Sequence, residues 1–292
     1  MSIRSEFIEI CHKVYEKGFV SATDGNVSLR LDSGRILITP SAKNKGELEE
    51  NDLLVIDYKG NLLEGKGKIT TEAKIHLLAY DKRKEINAVV HGHPIYSTAF
   101  ATAGKDLTKP VFPEVILTIG KVPLCKYGTP STDELTISME RHIGYAWALL
   151  MQNHGAVTFG TSLKEAYYKM EKLEHTAKTL FIANMLGGVT YLSDGNVNKL
   201  FSIAEKTYGI KPEKNQFKFN ENNAANNPVS YTENHLSYTE IIEERLRSRA
   251  GNSNINPFGI NKTYNQKNIT GKADKNKLSK NEIDKIIKEF NI

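Results

Sequence analysis

The sequence predicts a single layered α/β domain, in which helices cover the faces of a central sheet, followed by a long tail of different composition. Three observations support this fold class. Helical and strand-like patterns alternate through the first two-thirds of the chain, hydrophobic residues make up 39% of its 292 residues, and the composition changes near residue 212. Alternating elements favour stacked layers of helix and sheet, and a chain of this length can bury a substantial core.

The first half of the domain contains three predicted helices with strands between them. Apolar residues at helical spacing predict a helix over residues 3–17, which Gly18 is placed to end. Two further helices are predicted over residues 71–82 and 96–103, and a buried strand over residues 88–93 separates them. Short apolar segments between turn sequences predict strands over residues 27–31, 36–38 and 53–58.

The second half of the domain contains a pair of strands and a long helix. Two short apolar segments, residues 148–152 and 156–159, flank a polar turn and are predicted to be strands. The following helix is predicted to begin at Ser162 and to end near residue 186, because Ser162 and Glu165 have the spacing of a capping box. The alternation of strands and helices therefore continues without a break, which favours one domain over two.

The tail is predicted to consist of a linker and a terminal helix after a domain of residues 1–211. Residues 212–277 form an Asn/Lys-rich linker, since 16 asparagines occur among residues 215–292 and aliphatic residues are few; such a segment cannot offset its ordering entropy. A short helix is predicted within it at residues 238–249. Residues 278–292 form an amphipathic helix, which is marginal alone in water and needs a surface to cover its apolar stripe. The stripe comprises Ile283, Ile286, Ile287 and Phe290.

The charge and cysteine content argue against several classes of partner. The formal net charge is +5, but residues 206–292 carry all of it, with 15 Lys and Arg against 10 Asp and Glu. Lysines dispersed among asparagines keep a segment soluble more often than they bind phosphates, so no nucleic-acid partner is expected. No apolar stretch approaches 18 residues, so no membrane partner is expected. The two cysteines, Cys11 and Cys125, and the lack of a signal region indicate a cytoplasmic protein.

Two histidines at the end of a predicted strand are a candidate metal site. His91 and His93 are two residues apart, so their side chains point to the same side of the strand. Such a pair is either a metal site or an ordinary polar strand end. His154, in the polar turn, would add a third imidazole and leave one metal position open, which is typical of catalytic rather than structural zinc. Glu72, at a predicted helix start, could complete the coordination shell or act as a base beside it.

Three short polar segments are candidates for binding an oxyanion. Each combines hydroxyl or amide side chains with a turn or a helix start, where free backbone N–H groups favour anions. Taken singly, each could equally be an ordinary turn or helix cap. The segments are Gly25-Asn26-Val27-Ser28, Thr39-Pro40-Ser41-Ala42 and Thr70-Thr71-Glu72.

Taken together and in this order, these motifs resemble the class II aldolase and adducin-head family, whose members include L-fuculose-1-phosphate aldolases, pentulose-phosphate 4-epimerases and non-catalytic adducin heads. The resemblance covers roughly residues 1–211. It implies a three-layer αβα sandwich with a mainly antiparallel central sheet. It also implies a homotetramer with fourfold symmetry and a site between subunits.

The resemblance assigns roles to the candidate residues. It implies one Zn²⁺ per subunit held by His91, His93 and His154, with Glu72 as an acid/base that also approaches the metal; manganese or cobalt remains an alternative. It implies a pocket for the phosphate of a sugar-phosphate substrate. The residues of that pocket are Gly25, Asn26, Ser41, Ala42, Thr70 and Thr71.

Departures from the family pattern bear on the choice among its reactions. The family usually has glycine at the position of Ala42, which could restrict the approach of backbone to phosphate. Glu72 favours aldol cleavage, because the 4-epimerases have aspartate there. Tyr208 resembles the proton-donating tyrosine of the fuculose-phosphate aldolases, whereas Glu114 replaces a second functional tyrosine. A carboxylate at that place is the acid/base of related methylthioribulose-phosphate dehydratases.

The function favoured by the resemblance is zinc-dependent cleavage of L-fuculose 1-phosphate to dihydroxyacetone phosphate and L-lactaldehyde. The alternatives are a pentulose-phosphate 4-epimerase, a 5-deoxypentulose-phosphate aldolase, a methylthioribulose-phosphate dehydratase and, more remotely, an adducin-like assembly domain. Residues 278–292 resemble an encapsulation peptide of bacterial microcompartment cargo, which implies a shell or cargo partner and a place in the microcompartment lumen. The alternative is that this helix docks on its own tetramer.

Overall fold

A mixed eight-stranded sheet forms the centre of the fold in the computed structural model, which describes residues 2–32 and 34–208. The spatial order of the strands is β4-β3-β2-β1-β5-β8-β7-β6, and every neighbouring pair is antiparallel except β6 with β7. The strands are β1 (Asn26–Arg30), β2 (Ile36–Ile38), β3 (Leu54–Ile56), β4 (Leu62–Glu64), β5 (Ala88–Gly92), β6 (Leu124–Cys125), β7 (Ala148–Met151) and β8 (Gly155–Gly160).

Helices cover both faces of this sheet, so the predicted three-layer α/β sandwich with a mainly antiparallel sheet is confirmed. One apolar cluster packs α1, α3 and α6 against one face, and a second packs α2 and α5 against the other. A small third cluster joins α4 to α7. The helices are α1 (Ile3–Glu16), α2 (Ala73–Lys82), α3 (Ile95–Thr102), α4 (Pro113–Thr118), α5 (Asp133–Ile143), α6 (Leu163–Met185) and α7 (Asp194–Tyr208).

The register of the central strands determines which polar residues meet. Strand β5 lies between β1 and β8, where His91 is paired with Asn26 on one side and with Val157 on the other. Side chains alternate along β5, because Val90 faces the α1/α6 layer whereas Val89 faces the α2/α5 layer. His91 follows the same period of two and therefore faces α2.

The predicted elements of the domain are present with boundaries shifted by at most two residues, but several elements escaped prediction. Strand β4 was missed because its three residues are all exposed, which leaves no apolar alternation to detect. Helices α4, α5 and α7 and the short strand β6 were also not predicted.

The predicted capping box at the start of α6 forms only in part. The Ser162 hydroxyl accepts a hydrogen bond from the Glu165 N–H. The Glu165 carboxylate does not return to Ser162, because it accepts hydrogen bonds from the backbone N–H and hydroxyl of Thr161 and also pairs with Lys169. The helix start is therefore capped by two adjacent residues instead of a reciprocal pair.

The predicted linker of residues 212–277, its short helix at 238–249 and the terminal helix of 278–292 lie outside the described residues, so the division of the chain into these parts stays a prediction. Among the described residues, none of the helices combines the length and apolarity needed to cross a bilayer.

Candidate active site

Three histidines converge at the end of β5. His91 belongs to the strand, His93 follows it directly, and His154 lies in the turn between β7 and β8. Each of the three rings places one nitrogen within 4.8 Å of the corresponding nitrogens of the other two. The ring centroids of His91 and His93 are 5.1 Å apart, and those of His91 and His154 are 4.9 Å apart. The first distance agrees with the prediction that His91 and His93 point to the same side of the strand.

The turn that carries His154 depends on unusual backbone conformations. Asn153 has a φ of 55°, in the left-handed region, where asparagine is one of the few tolerated non-glycine residues. A Cβ on Gly155 would lie 2.5 Å from the His93 imidazole and 2.5 Å from the Gly92 carbonyl oxygen. Glycine at this position therefore allows the turn to approach the end of β5 closely enough for the rings to meet.

The ring nitrogens of these histidines fit a metal ion. The Nδ1 of His91 is 2.9 Å from the Ala156 carbonyl oxygen and must donate to it, which leaves Nε2 with its lone pair. Three buried ring nitrogens, one from each histidine, have no hydrogen-bond partner, and such groups are costly unless a ligand satisfies them. Imidazole nitrogens suit zinc and other transition metals. The three atoms are His91 Nε2, His93 Nε2 and His154 Nδ1.

Glu72 lies directly beside the histidine cluster, at the N-cap position of α2. Its Oε1 is 3.0 Å from His154 Nε2, and its Oε2 is 3.3 Å from His91 Nε2. The Asn26 side-chain amide donates a 2.7 Å hydrogen bond to the same Oε2. The carboxylate is therefore held between the histidines and β1, close enough either to ligate a metal or to exchange protons with a ligand of that metal.

The electrostatics of the cluster favour an ionised Glu72 and a neutral His93. Burial alone would raise the pKa of Glu72, but the contacts with His91, His154 and Asn26 outweigh it and hold that pKa well below its ordinary value. Burial and the neighbouring His91 and His154 lower the pKa of His93 to about 4. A neutral imidazole is the form that binds a metal, so His93 needs no deprotonation at neutral pH.

The residues predicted to hold a phosphate lie on segments that approach this cluster. Asn26 Nδ2 is 3.4 Å from the Thr70 hydroxyl, which in turn accepts a hydrogen bond from the Glu72 N–H. The Ser41 N–H donates to the Lys68 carbonyl, so the segment carrying Ser41 and Ala42 runs beside the one carrying Thr70. Phosphate binding by these residues stays a prediction.

The other predicted phosphate residues are Gly25, Thr71 and Ala42, and each has a distinctive local geometry. Gly25 has a φ of 70°, and a Cβ there would lie 2.7 Å from the His91 carbonyl oxygen, so only glycine fits against β5. The Thr71 hydroxyl accepts a hydrogen bond from the Ser131 hydroxyl. Ala42 has a φ of 56°, which explains physically why glycine is favoured at this position.

The part of the chain that the structure describes does not place Glu114 or Tyr208 at the cluster. Glu114 is exposed on α4, which packs against α6 and α7. Tyr208 is the last residue of α7, and its side chain lies outside the described part of the structure. Their catalytic roles stay predictions. The predicted site between subunits would also contain residues from a second copy of the chain.

Two buried polar residues near the site escaped prediction. Lys45 is 1% exposed, and its Nζ donates to the carbonyls of Thr23 and Lys43, which lie next to two of the predicted phosphate segments. Nothing in its surrounding sequence signals this burial. His76 lies one helical turn after Glu72 and contacts Asn26. The four-residue spacing of Glu72 and His76 was a signal that could have revealed it.

Comparison with known proteins agrees with this geometry. An L-fuculose phosphate aldolase from Methanococcus maripaludis is 38% identical over 183 residues, which cover 63% of this chain and 98% of the relative. A 3-oxo-tetronate 4-phosphate decarboxylase from Haemophilus influenzae is 34% identical over 197 residues, which cover 66% of this chain and 93% of the relative. The solved structure of YgbL from Escherichia coli matches with a TM-score of 0.63 at 33% identity, covering 68% of this chain and 97% of YgbL.

The family described as Class II Aldolase and Adducin N-terminal domain matches residues 5–181. The matched region is more than half of the chain and contains the three converging histidines, Glu72 and the polar segments beside them. The chain therefore belongs to the class II aldolase and adducin N-terminal domain family.

Proposed function

We propose that this protein is a metal-dependent lyase that cleaves a ketose 1-phosphate by a retro-aldol reaction, with L-fuculose 1-phosphate as its substrate and Zn²⁺ as its metal. The observation that carries the proposal is the convergence of His91, His93 and His154, each with a buried ring nitrogen that lacks a hydrogen-bond partner, beside the Glu72 carboxylate. The similarity to an L-fuculose phosphate aldolase supports the choice of substrate. The products are dihydroxyacetone phosphate and L-lactaldehyde.

The reaction requires charge stabilisation and two proton transfers. Breaking the carbon–carbon bond leaves an electron pair beside a carbonyl group, as an enediolate. When bound by His91, His93 and His154, zinc supplies Lewis-acid stabilisation of that negative charge. Glu72 exchanges the proton at the enediolate carbon. Tyr208 exchanges the proton of the hydroxyl group whose oxygen becomes the aldehyde oxygen. The phosphate is held by the predicted pocket, which fixes the reacting carbons beside Glu72. The residues of that pocket are Gly25, Asn26, Ser41, Ala42, Thr70 and Thr71.

A second candidate reaction is decarboxylation of a 3-oxo acid phosphate, which the similarity to a 3-oxo-tetronate 4-phosphate decarboxylase favours. Both reactions break a bond next to a ketone and leave an enediolate that must be protonated. They differ in the group that leaves, which is an aldehyde in one case and CO₂ in the other. Decarboxylation needs no group to accept a hydroxyl proton, so it makes no use of Tyr208.

An assay of the purified, zinc-loaded full chain against a panel of substrates tests the proposal. The panel contains L-fuculose 1-phosphate, L-rhamnulose 1-phosphate, a 5-deoxypentulose phosphate and 3-oxo-tetronate 4-phosphate, with release of dihydroxyacetone phosphate and of CO₂ measured in parallel. We expect the highest kcat/KM with L-fuculose 1-phosphate, without CO₂. A higher kcat/KM with the 3-oxo acid, accompanied by CO₂, would replace the aldolase by the decarboxylase.

The same preparation distinguishes the remaining alternatives. A pentulose-phosphate 4-epimerase would interconvert its two epimers without releasing a fragment. A methylthioribulose-phosphate dehydratase would release water and depend on Glu114, so a Glu114→Gln substitution would abolish its activity. An adducin-like assembly domain would bind no stoichiometric zinc and turn over none of these compounds.

The assembly and targeting proposals concern the whole chain. A homotetramer would have about four times the 32.7 kDa mass of one chain, which light scattering after gel filtration measures. We propose that residues 278–292 direct the enzyme into a microcompartment. The full chain fused to a fluorescent protein should co-localise with shells in shell-forming cells, and the same fusion without residues 278–292 should be diffuse. Identical distributions of the two fusions would refute targeting.

A further inference from the structure

A row of buried hydrogen bonds between α2 and the sheet ends on Glu72. The hydroxyls of Tyr80 and Ser28 are 2.6 Å apart, and the Ser28 hydroxyl is 2.6 Å from His76 Nδ1. On the other side of the ring, His76 Nε2 is 2.5 Å from Asn26 Oδ1. Asn26 Nδ2 is 2.7 Å from Glu72 Oε2. The row thus connects the interior of the α2 layer to the carboxylate at the candidate metal site.

The direction of every hydrogen bond in this row follows from the charge of Glu72. An ionised carboxylate only accepts, so Asn26 must present its NH₂ group to Glu72 and its carbonyl oxygen to His76. His76 must then donate from Nε2, which leaves Nδ1 as an acceptor for the Ser28 hydroxyl. The Ser28 oxygen in turn accepts from the Tyr80 hydroxyl. One ring tautomer therefore satisfies the whole row.

Because these side chains are buried, each hydrogen bond of the row needs its protein partner. Ser28 and His76 are fully buried, and Asn26 and Tyr80 are 3% and 2% exposed, so water does not replace a missing partner. Burial and the nearby His91 lower the pKa of His76 to about 3, which keeps the ring neutral at physiological pH. A neutral ring with one N–H is what the row requires.

We propose that His76 is a positioning residue that, through its Nε2–H, fixes the side-chain amide of Asn26 and thereby the carboxylate of Glu72. The proposal rests on the proposed role of Glu72 as the proton-exchanging group. Without the Nε2–H donor, the Asn26 amide is free to rotate. Rotation would turn the amide oxygen toward Glu72, where it would repel the carboxylate oxygens. The same amide lies 3.4 Å from the Thr70 hydroxyl, so Asn26 links the proton-exchanging group to a predicted phosphate segment.

The kinetic test compares three variants of the zinc-loaded full chain with L-fuculose 1-phosphate as the probe. His76→Leu removes both ring nitrogens, and we expect kcat to fall by about 10–100-fold, the usual effect of losing a partner that orients a site residue. Bound zinc should stay within about 3-fold of the wild type. His76→Gln keeps an N–H donor near the Nε2 position and should restore kcat to within about 3-fold. His142→Leu is the matched control, because His142 lies on α5, where it forms a hydrogen bond with the Tyr145 hydroxyl, and its loss should leave kcat unchanged.

Equal losses in the leucine and glutamine variants, no loss in either, or a loss accompanied by released zinc would overturn the positioning role. A second measurement needs no variant and no substrate. In ¹⁵N-histidine-labelled, zinc-loaded protein, the His76 ring should carry its proton on Nε2, and a proton on Nδ1 would contradict the proposal. If the wild type does not turn over L-fuculose 1-phosphate, the proposed substrate is wrong. The His76 tautomer then tests the hydrogen-bond directions of the row independently of the substrate.

Discussion

The two ends of the central strands both bury ionisable side chains, but they satisfy them differently. At the end where β5 meets the turn between β7 and β8, His91, His93 and His154 each retain a buried ring nitrogen without a hydrogen-bond partner. At the opposite end, beside Ala88 and Gly160, a second buried cluster surrounds Trp147, the single tryptophan of the chain.

The two charged side chains that lie against Trp147, Arg83 and Lys169, both have polar partners. Arg83 stacks on the indole ring at 4.0 Å and donates to the carbonyls of Ile143 and Ala146. Lys169 approaches the ring at 3.5 Å and pairs with Glu165 at 2.7 Å. Burial still lowers the pKa of Lys169 to about 8, so the contacts only partly offset desolvation.

The difference distinguishes a site from a structural cluster. Buried polar groups that are paired with each other complete the fold, whereas converging groups that lack partners are completed by a ligand. Burial and perturbed pKa values alone would have marked both clusters equally. We therefore expect substitutions at the histidine end to change metal content and turnover, and substitutions at the Trp147 end to change stability.

The largest effect should come from removing one metal ligand. His93→Ala should reduce bound zinc from about one per chain to a trace. Turnover of L-fuculose 1-phosphate should fall by at least ~10³-fold, because several kcal/mol of charge stabilisation are lost and each 1.36 kcal/mol is tenfold. Zinc is measured by elemental analysis of dialysed protein. His142→Ala is the control, and full zinc occupancy in His93→Ala would exclude the proposed ligand set.

Replacing the carboxylate should separate catalysis from metal binding. Glu72→Gln keeps the shape and the hydrogen-bonding capacity of the side chain but cannot exchange the proton, so kcat should fall by about 10²–10⁴-fold. The three histidines remain, so zinc content should stay near that of the wild type. A variant that binds zinc and turns over at the wild-type rate would remove Glu72 from the mechanism.

At the opposite end, Arg83→Met should lower the free energy of unfolding by about 3 kcal/mol, because the carbonyls of Ile143 and Ala146 lose their buried donor. Turnover per bound zinc should be unchanged. Urea unfolding followed by Trp147 fluorescence measures the loss. Lys82→Met is the control, since Lys82 forms an exposed ion pair with Glu140 and should cost less than about 1 kcal/mol. A large loss of turnover in Arg83→Met would contradict the view that the Trp147 cluster is structural and only the histidine cluster is functional.

The sequence allowed two of the three histidines of the metal cluster to be brought together by strand geometry alone. His91 and His93 meet because side chains in a strand repeat every second residue, and this needs no knowledge of the fold. His154 is 61 residues further along the chain, and its approach depends on β8 pairing with β5. Alternating elements do not specify that pairing, so His154 could be named from the sequence as a candidate third ligand, but only the family resemblance implied that it joins the other two.

Other features were missed for different physical reasons. Helix α5 does have an apolar stripe, at Leu135, Met139 and Ile143, so its omission reflects an overlooked signal. The burial of Lys45 depends on two backbone carbonyls that the fold brings together, and no local pattern predicts such a contact. Spacing therefore carries a signal within a single element, even where that signal was overlooked, but none for contacts whose partners come from different elements.

The smallest effect concerns backbone strain at the histidine end. Ala42 has a φ of 56°, a conformation that costs a residue with a Cβ about 1 kcal/mol relative to glycine, and such strain concentrates at functional sites. Ala42→Gly should therefore raise the free energy of unfolding by about 0.5–1 kcal/mol in urea. The matched control is Ala103→Gly, where φ is −75° and glycine should lower stability by a similar amount through the added freedom of the unfolded chain. If both substitutions lower stability equally, the histidine end stores no strain at Ala42, and its difference from the Trp147 end lies in the unpartnered ring nitrogens alone.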